Sequence, residues 1–174
     1  MKNIVLTGFM GTGKSTVGKK VAGKLGMKFI DMDQYIEGKL GMSISDIFFH
    51  KGEAYFRETE KEAAEELSRL TGTVIATGGG IVLNPENVKK FRENGIIFCL
   101  KADIDTILRN ISKSHEKRPL LKQGNIRNTI EKLLEYREPY YKNNDYEVDV
   151  SLLTVEQAAS VIADIYISTT KTDY

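Results

Sequence analysis

A glycine-rich segment near the start of the chain constrains the fold more than any other feature of the sequence. Residues 8–15 read GFMGTGKS, which is the pattern G-x-x-x-x-G-K-[ST] of a phosphate-binding loop. An apolar run at residues 4–6 precedes the segment, and an amphipathic helical pattern at residues 15–25 follows it. A tight turn between a strand and a helix would account for the glycines, but not for Lys14 and Ser15 after them. The segment therefore predicts a strand, a nucleotide-binding loop and a helix in succession.

The residue types of this loop predict how it binds a nucleoside triphosphate. Glycines let backbone N–H groups turn toward an anion, and the N-terminus of the helix adds partial positive charge. Lys14 can reach the β and γ phosphates, and the hydroxyl of Ser15 can bind Mg²⁺. We expect the nucleotide to be bound by six consecutive residues: Gly11, Thr12, Gly13, Lys14, Ser15 and Thr16. The guanine-binding pattern N-K-x-D and the switch pattern D-x-x-G do not occur, which argues against a GTPase.

Short apolar runs alternate with helical patterns along the rest of the chain. Strands are predicted at residues 3–6, 27–30, 73–76, 96–100 and 146–150. This alternation predicts an α/β fold with a parallel sheet, whose active site lies beyond the carboxyl ends of the strands. The 174 residues suit one domain of about 150 residues. We expect that domain to span residues 1–167 and a polar tail to follow at residues 168–174.

Composition excludes several classes of protein. The 25 basic and 24 acidic residues give a net charge of +1, so no overall charge attracts nucleic acid or an anionic membrane. The single cysteine, Cys99, excludes a disulfide framework within the chain and a cysteine-rich metal site. No apolar run approaches the ~18 residues of a spanning helix, and the N-terminus turns polar too early for a signal peptide. A cytoplasmic protein without nucleic-acid or membrane partners is expected.

One segment departs from this balance of charge. Residues 109–127 carry six basic residues and one acidic residue, a net charge of +5 in a chain of +1. Weak periodicity over residues 112–124, together with Pro119, predicts a basic loop. A solvated surface loop is the alternative to a binding role.

Two predicted helices carry charged residues on their apolar stripes. Over residues 53–70, Glu60 falls on the stripe, and Arg57 lies one turn before it, so that the two can pair. Over residues 126–141, Arg137 falls on a stripe formed by Ile126, Ile130, Leu133 and Tyr140. Because a buried charge is costly without a partner, the two arginines suggest an anionic ligand. Structural ion pairs would explain the pattern equally well.

Carboxylates and glycines follow two of the predicted strands, at the edge where the site is expected. Asp33 can orient a substrate hydroxyl or accept its proton, and Asp31 can hold Mg²⁺ through water. An aspartate here could instead cap a helix that begins at Gln34. The three glycines at residues 78–80 allow close approach of a ligand, or form a flexible turn.

Taken together, these motifs resemble those of the shikimate kinase family in order and approximate spacing. The resemblance covers roughly residues 3–165. It rests on GFMGTGKS at residues 8–15, FIDMD at 29–33, FRETE at 56–60, GGG at 78–80, RPL at 118–120 and REPYY at 137–141.

The resemblance implies that ATP phosphorylates the 3-hydroxyl of shikimate, giving shikimate 3-phosphate and ADP, on the way to chorismate and the aromatic amino acids. It implies a three-layer P-loop nucleoside monophosphate kinase fold, with five parallel strands in the order 2-3-1-4-5 between helices. A mobile lid would lie at about residues 112–124. The protein would be a monomer whose partners are two small molecules, shikimate and ATP.

Roles for single residues follow from the same resemblance. Lys14, Asp33 and Arg118 would be catalytic, Arg118 meeting the phosphates of ATP from the lid and Arg109 lying near the adenine. Ser15 and Asp31 would hold Mg²⁺, and Glu60 would hold the substrate arginines in place. Shikimate would be bound by Asp33, Arg57, Gly78, Gly79, Gly80 and Arg137.

The sequence departs from the family pattern after the last predicted strand. Many members carry a proline-containing loop there that contacts the adenine, whereas residues 151–154 read SLLT. The alternative function is a kinase of the same fold acting on gluconate or a nucleoside monophosphate. Asp33, Arg57 and Arg137, with the triple glycine, favour a carboxylated polyol instead. A non-catalytic nucleotide-binding module would not need Lys14, Asp33 and Arg118 together.

Overall fold

The computed structural model describes residues 1–114 and 125–171. Its centre is a parallel sheet of five strands in the order β2-β3-β1-β4-β5, which confirms the predicted topology. The strands are β1 Asn3–Gly8, β2 Lys28–Asp31, β3 Thr73–Ala76, β4 Gly95–Lys101 and β5 Tyr146–Asp149. Arg118 and most of the predicted lid lie outside the described residues.

Helices cover both faces of the sheet and make three layers. They are α1 Lys14–Leu25, α2 Met32–Leu40, α3 Ile44–Lys51, α4 Glu53–Ser68, α5 Pro85–Asn94, α6 Ile104–Lys113, α7 Ile126–Tyr141 and α8 Val155–Lys171, with a short 3₁₀ turn at Ile81–Leu83. Successive residues of a strand point to opposite faces. Thus Val5 packs with the cluster under α2 to α7, whereas Ile4 and Leu6 pack with the cluster under α1 and α8. The central strands are buried on both faces, as predicted from their uninterrupted apolar runs.

The strand register brings two glycine-rich turns side by side. Leu6 of β1 pairs with Ala76 of β3, so both strands end at the same edge of the sheet. The loop after β1 and the glycines after β3 are therefore neighbours. Asp31 at the end of β2 pairs with Ala76 as well, and it completes the row of strand ends on which the site is built.

The predicted boundary between the domain and a polar tail, at residue 168, falls inside helix α8. Helix α8 continues to Lys171, and hydroxyl groups in its last turns bond backbone carbonyls within the helix. Thr169 donates to the carbonyl of Ile165, and Thr170 donates to that of Tyr166. The Thr169 hydroxyl also contacts the Tyr146 hydroxyl on the edge strand. No helix in residues 1–114 or 125–171 is long and apolar enough to cross a bilayer.

Candidate active site

A cleft of about 850 Å³ opens beyond the carboxyl ends of β1, β2 and β3. Most of the predicted site residues line it, from both turns and from four helices. They are Gly11, Gly13, Lys14, Ser15, Thr16, Asp31, Asp33, Arg57, Gly78, Gly79, Gly80 and Arg137. Thr12 does not line the cleft: it is buried, and its hydroxyl donates to the carbonyl of Phe9.

The loop after β1 has the backbone that phosphate binding requires. Gly8, Gly11 and Gly13 have φ values of 134°, 78° and 86°, a region that favours glycine. Helix α1 begins at Lys14, so its free N–H groups and partial positive charge face the loop. The Lys14 ammonium donates to the carbonyls of Gly8 and Phe9 at 2.8 and 2.9 Å. The loop thus offers backbone donors and a positive charge at one end of the cleft.

Two oxygen donors that suit Mg²⁺ meet beside this loop. The Ser15 hydroxyl donates to Oδ2 of Asp31, and both residues line the cleft. Asp31 is also the N-cap of α2, since Oδ1 accepts from the Gln34 N–H. Mg²⁺ prefers one or two protein oxygens combined with phosphate and water, so this pair fits the ion. An aspartate cap, the predicted alternative, is therefore present, but helix α2 begins at Met32 and not at Gln34. Asp31 serves as this cap through Oδ1 and contacts Ser15 through Oδ2.

Asp33 and Glu60 line the cleft close to Gly78. A Cβ atom placed on Gly78 would lie 2.9 Å from Oε1 of Glu60 and 3.1 Å from Oδ1 of Asp33. Burial raises the pKa of the Glu60 carboxyl, while the adjacent Arg57 and Arg137 oppose that shift. The missing side chain at residue 78 is therefore what lets both carboxylates reach the cleft.

Arg57 pairs with Glu60, as the i, i+3 spacing predicts. Its Nη1 lies 2.5 Å from Oε2 of Glu60, and its Nη2 lies 3.2 Å from Oε1 of Glu53. The structural ion pair that the sequence offered as an alternative to an anionic ligand is thus present for Arg57. Each of these two carboxylates takes one nitrogen of the guanidinium, whose five N–H donors are not all used by them, and Arg57 lines the cleft.

Arg137 is the more deeply buried arginine. Only 3% of its surface is exposed, and its Nε is a buried donor with no partner in the part of the chain described here. Its guanidinium lies 5.9 Å from the ring centre of Phe9. A buried cation with an unsatisfied donor costs free energy, and an anionic ligand in the cleft would offset that cost.

An aromatic wall, not anticipated from the sequence, lines part of the cleft. Ile44, Phe48 and Phe56 line it, and the rings of Phe48 and Phe56 lie 4.7 Å apart. The helical pattern over residues 53–70 places Phe56 on its apolar stripe. Helical periodicity marks a buried face but does not separate core from cleft wall.

Two side chains that bond glycine carbonyls were also missed. Asn110 of α6 donates to the carbonyl of Gly11 at 2.8 Å, and Tyr141 of α7 donates to that of Gly79 at 2.6 Å. Arg109, by contrast, is exposed, does not line the cleft and donates to the Thr106 hydroxyl. Its predicted place near the adenine, like the role of Arg118, stays a prediction.

Comparison with known proteins agrees with this geometry. The sequence model of the shikimate kinase family matches residues 10–166. A shikimate kinase of Caldanaerobacter subterraneus subsp. tengcongensis is 54% identical over 167 residues, covering 96% of this chain and 97% of the relative. The chain belongs to the shikimate kinase family.

Solved structures support the assignment at the level of the fold. A shikimate kinase from Acinetobacter baumannii in complex with shikimate superposes with a TM-score of 0.91 at 33% identity, covering 97% of this chain and 94% of that one. A gluconokinase from Sinorhizobium meliloti reaches a TM-score of 0.60 at 17% identity over 99% and 98% of the two chains. That second likeness extends to the fold alone.

Proposed function

We propose that the protein transfers the γ-phosphoryl group of ATP to the 3-hydroxyl of shikimate, giving shikimate 3-phosphate and ADP. The observation that carries the proposal is a pair of arginines facing a phosphate-binding loop across one cleft. Arg57 and Arg137 line the same cleft as Lys14 and Ser15. A phosphate donor and a carboxylated acceptor can therefore be bound together, each by its own cations.

The acceptor is recognised by complementary charge and by backbone donors. Arg57 and Arg137 bind the carboxylate of shikimate, because guanidinium forks match carboxylate geometry. The glycine turn at residues 78–80 supplies N–H groups, since no side chain blocks their approach. Asp33 bonds the hydroxyl groups on the opposite side of the acceptor and points the reacting oxygen toward the loop.

Phosphoryl transfer then requires alignment and neutralisation of charge. The O3 atom of shikimate forms a bond to the γ-phosphorus as the bond from that phosphorus to the β,γ-bridging oxygen breaks. Asp33 accepts the hydroxyl proton, and ADP leaves with the bridging oxygen. Lys14 stabilises the negative charge on the phosphoryl oxygens, and Arg118 is proposed to do the same from the lid.

Mg²⁺ would be held by Ser15 directly and by Asp31 through water, and when bound it neutralises charge on the β and γ phosphates. The hydroxyl–carboxylate pair beside the loop supports this assignment. The monomeric state and the cytoplasmic location expected from the sequence remain predictions.

The test is ADP release from Mg-ATP with shikimate, gluconate or AMP as acceptor. Rapid release that requires shikimate, with formation of shikimate 3-phosphate, is the expected result. Release with gluconate or AMP but not with shikimate would overturn the assignment of the acceptor and leave the phosphate-binding loop intact.

A further inference from the structure

The glycine turn after β3 has no side chains of its own with which to hold its shape, and its three carbonyls are held by other groups. The Gly78 carbonyl accepts from the Ile81 N–H at 3.3 Å, and the Gly80 carbonyl accepts from the Leu83 N–H at 3.1 Å. Both donors belong to the following 3₁₀ turn. The Gly79 carbonyl accepts from the Tyr141 hydroxyl at 2.6 Å. This middle peptide is thus fixed by a residue 62 positions away in sequence.

The position of Tyr141 determines which way the next N–H points. Residues 1–114 and 125–171 contain no cis peptide bond, and in a trans peptide the C=O and N–H groups point in opposite directions. Tyr141 does not line the cleft, whereas Gly79 and Gly80 do. A hydroxyl that holds the Gly79 carbonyl from behind the turn therefore directs the Gly80 N–H away from α7. None of the backbone–backbone bonds of loops and turns in residues 1–114 and 125–171 uses that N–H, which leaves it available to a ligand.

The phenol is suited to act as a permanent donor. Tyr141 is 9% exposed, and burial raises the pKa of its hydroxyl to about 12 although the nearby Arg137 opposes that shift. The hydroxyl therefore keeps its proton throughout the physiological range. Arg137 lies one turn earlier on α7, so a single helix carries both an arginine of the cleft and the residue that fixes the glycine turn.

We propose that Tyr141 is a positioning residue for the acceptor: it orients the Gly79–Gly80 peptide so that the Gly80 N–H meets an anionic or hydroxyl oxygen in the cleft. The inference rests on the proposed function, since shikimate is the acceptor it would help to bind. It assigns Tyr141 no contact with either substrate. Loss of the hydroxyl should therefore weaken acceptor binding without affecting the nucleotide.

The chain contains a matched control for this bond. Tyr166 is 3% exposed, and its hydroxyl donates to the carbonyl of Lys2 at 2.7 Å. Tyr166→Phe thus removes the same kind of bond, from a buried phenol to a distant backbone carbonyl, on the other face of the sheet. An effect on stability alone would therefore be seen in both variants, whereas an effect on acceptor binding would be seen only in Tyr141→Phe.

The experiment compares Tyr141→Phe, Tyr166→Phe and the full-length parent by steady-state kinetics and by calorimetric titration with shikimate. For Tyr141→Phe we expect the KM and the dissociation constant for shikimate to rise about five- to tenfold, the scale of one net hydrogen bond. The KM for ATP and kcat should stay within about twofold. Tyr166→Phe should lower the melting temperature to a similar extent and leave both KM values unchanged.

A rescue variant distinguishes the hydrogen bond from the shape of the ring. Replacing Tyr141 with 4-aminophenylalanine keeps an N–H donor at nearly the same place and should restore the shikimate KM. Unchanged shikimate KM in Tyr141→Phe, equal rises for both substrates, or failure of the rescue variant would each overturn the proposal. Absence of shikimate phosphorylation by the parent protein would instead overturn the proposed function.

Discussion

Two glycine-rich turns stand side by side at the edge of the sheet, and they need glycine for different reasons. In the loop after β1, Gly8, Gly11 and Gly13 have positive φ values, so the backbone itself excludes most other residues. In the turn after β3, none of the glycines at residues 78–80 has a positive φ. There the constraint is the space taken by neighbouring side chains.

The nature of the obstacle separates the two turns further. A Cβ atom on Gly8 would lie 2.3 Å from the backbone carbonyl oxygen of Leu100, which belongs to the sheet and cannot move. A Cβ atom on Gly80 would lie 2.3 Å from Nη1 of Arg57, the mobile end of a long side chain. A side chain in the first turn would therefore disturb the sheet, whereas a side chain at Gly80 would displace Arg57, the arginine proposed to bind the acceptor.

The largest expected effect on turnover comes from a substitution in the nucleotide-binding loop. Lys14→Ala removes the cation proposed to face the phosphates of ATP, and we expect kcat to fall roughly 10²–10³-fold, the cost of losing one preorganised charge-stabilising group. Calorimetric titration should still detect shikimate binding, because the residues proposed to bind the acceptor come from the other turn and from α2, α4 and α7. Retention of turnover would contradict the nucleotide assignment.

Arg137→Ala should weaken binding of the acceptor and leave binding of the nucleotide intact. Truncation leaves a substrate carboxylate desolvated and poorly paired, so shikimate binding should weaken by about 2–5 kcal/mol. The KM for ATP should change little. Arg127→Ala, which removes an exposed arginine of the same helix that pairs with Asp105, is the control and should leave both constants near their original values. Equal losses for both substrates would argue against a carboxylate clamp.

A pair of alanine substitutions tests the comparison of the turns directly. Gly8→Ala imposes a left-handed backbone and a clash with the sheet, so the free energy of unfolding should fall by at least about 1–3 kcal/mol. Gly80→Ala should lower it less, because Arg57 can shift. It should instead raise the shikimate KM by roughly tenfold to 10²-fold, the scale of a misplaced positioning group. Chemical denaturation and kinetics on both variants supply the measurement, and the reverse order of stability loss would refute the distinction.

The smallest effect concerns the residue that holds the phosphate loop. Asn110→Ala removes the bond to the Gly11 carbonyl, which should cost about 1 kcal/mol and raise the KM for ATP several-fold. The shikimate KM should stay constant, in contrast to Tyr141→Phe. Asn128→Ala, at an exposed position of α7, controls for loss of an amide. A change confined to shikimate would show that Asn110 does not serve the phosphate loop.

The sequence predicted those parts of the site whose residues lie close together in the chain. The eight-residue motif predicted the loop, and helical periodicity predicted that Glu60 and Arg137 are buried. The order of the strands came from the family resemblance, because alternation of strands and helices permits several orders. Asn110 and Tyr141 were missed as site residues because their partners lie 99 and 62 positions away, where periodicity carries no information.

The prediction for α7 was wrong at its end for a related reason. Residues three and four positions after Arg137 can both continue an apolar stripe, and the sequence favoured Tyr140. The structure buries Tyr141 instead and leaves Tyr140 half-buried, since Tyr141 has the Gly79 carbonyl as a partner. Ile126, also assigned to the stripe, is 49% exposed at the first turn of the helix.

The place occupied by the Arg57 guanidinium beside Gly80 is created by the absence of a side chain. Every replacement at residue 80 adds atoms, and no amino acid is intermediate in size between glycine and alanine. Mutation cannot adjust this position by small steps, as it can a cavity lined with leucine or valine. Changes in acceptor preference during evolution would therefore have to begin at residues that can be replaced by side chains of slightly different size. Ile44 and Phe48 of the aromatic wall are such residues, whereas residue 80 would stay glycine.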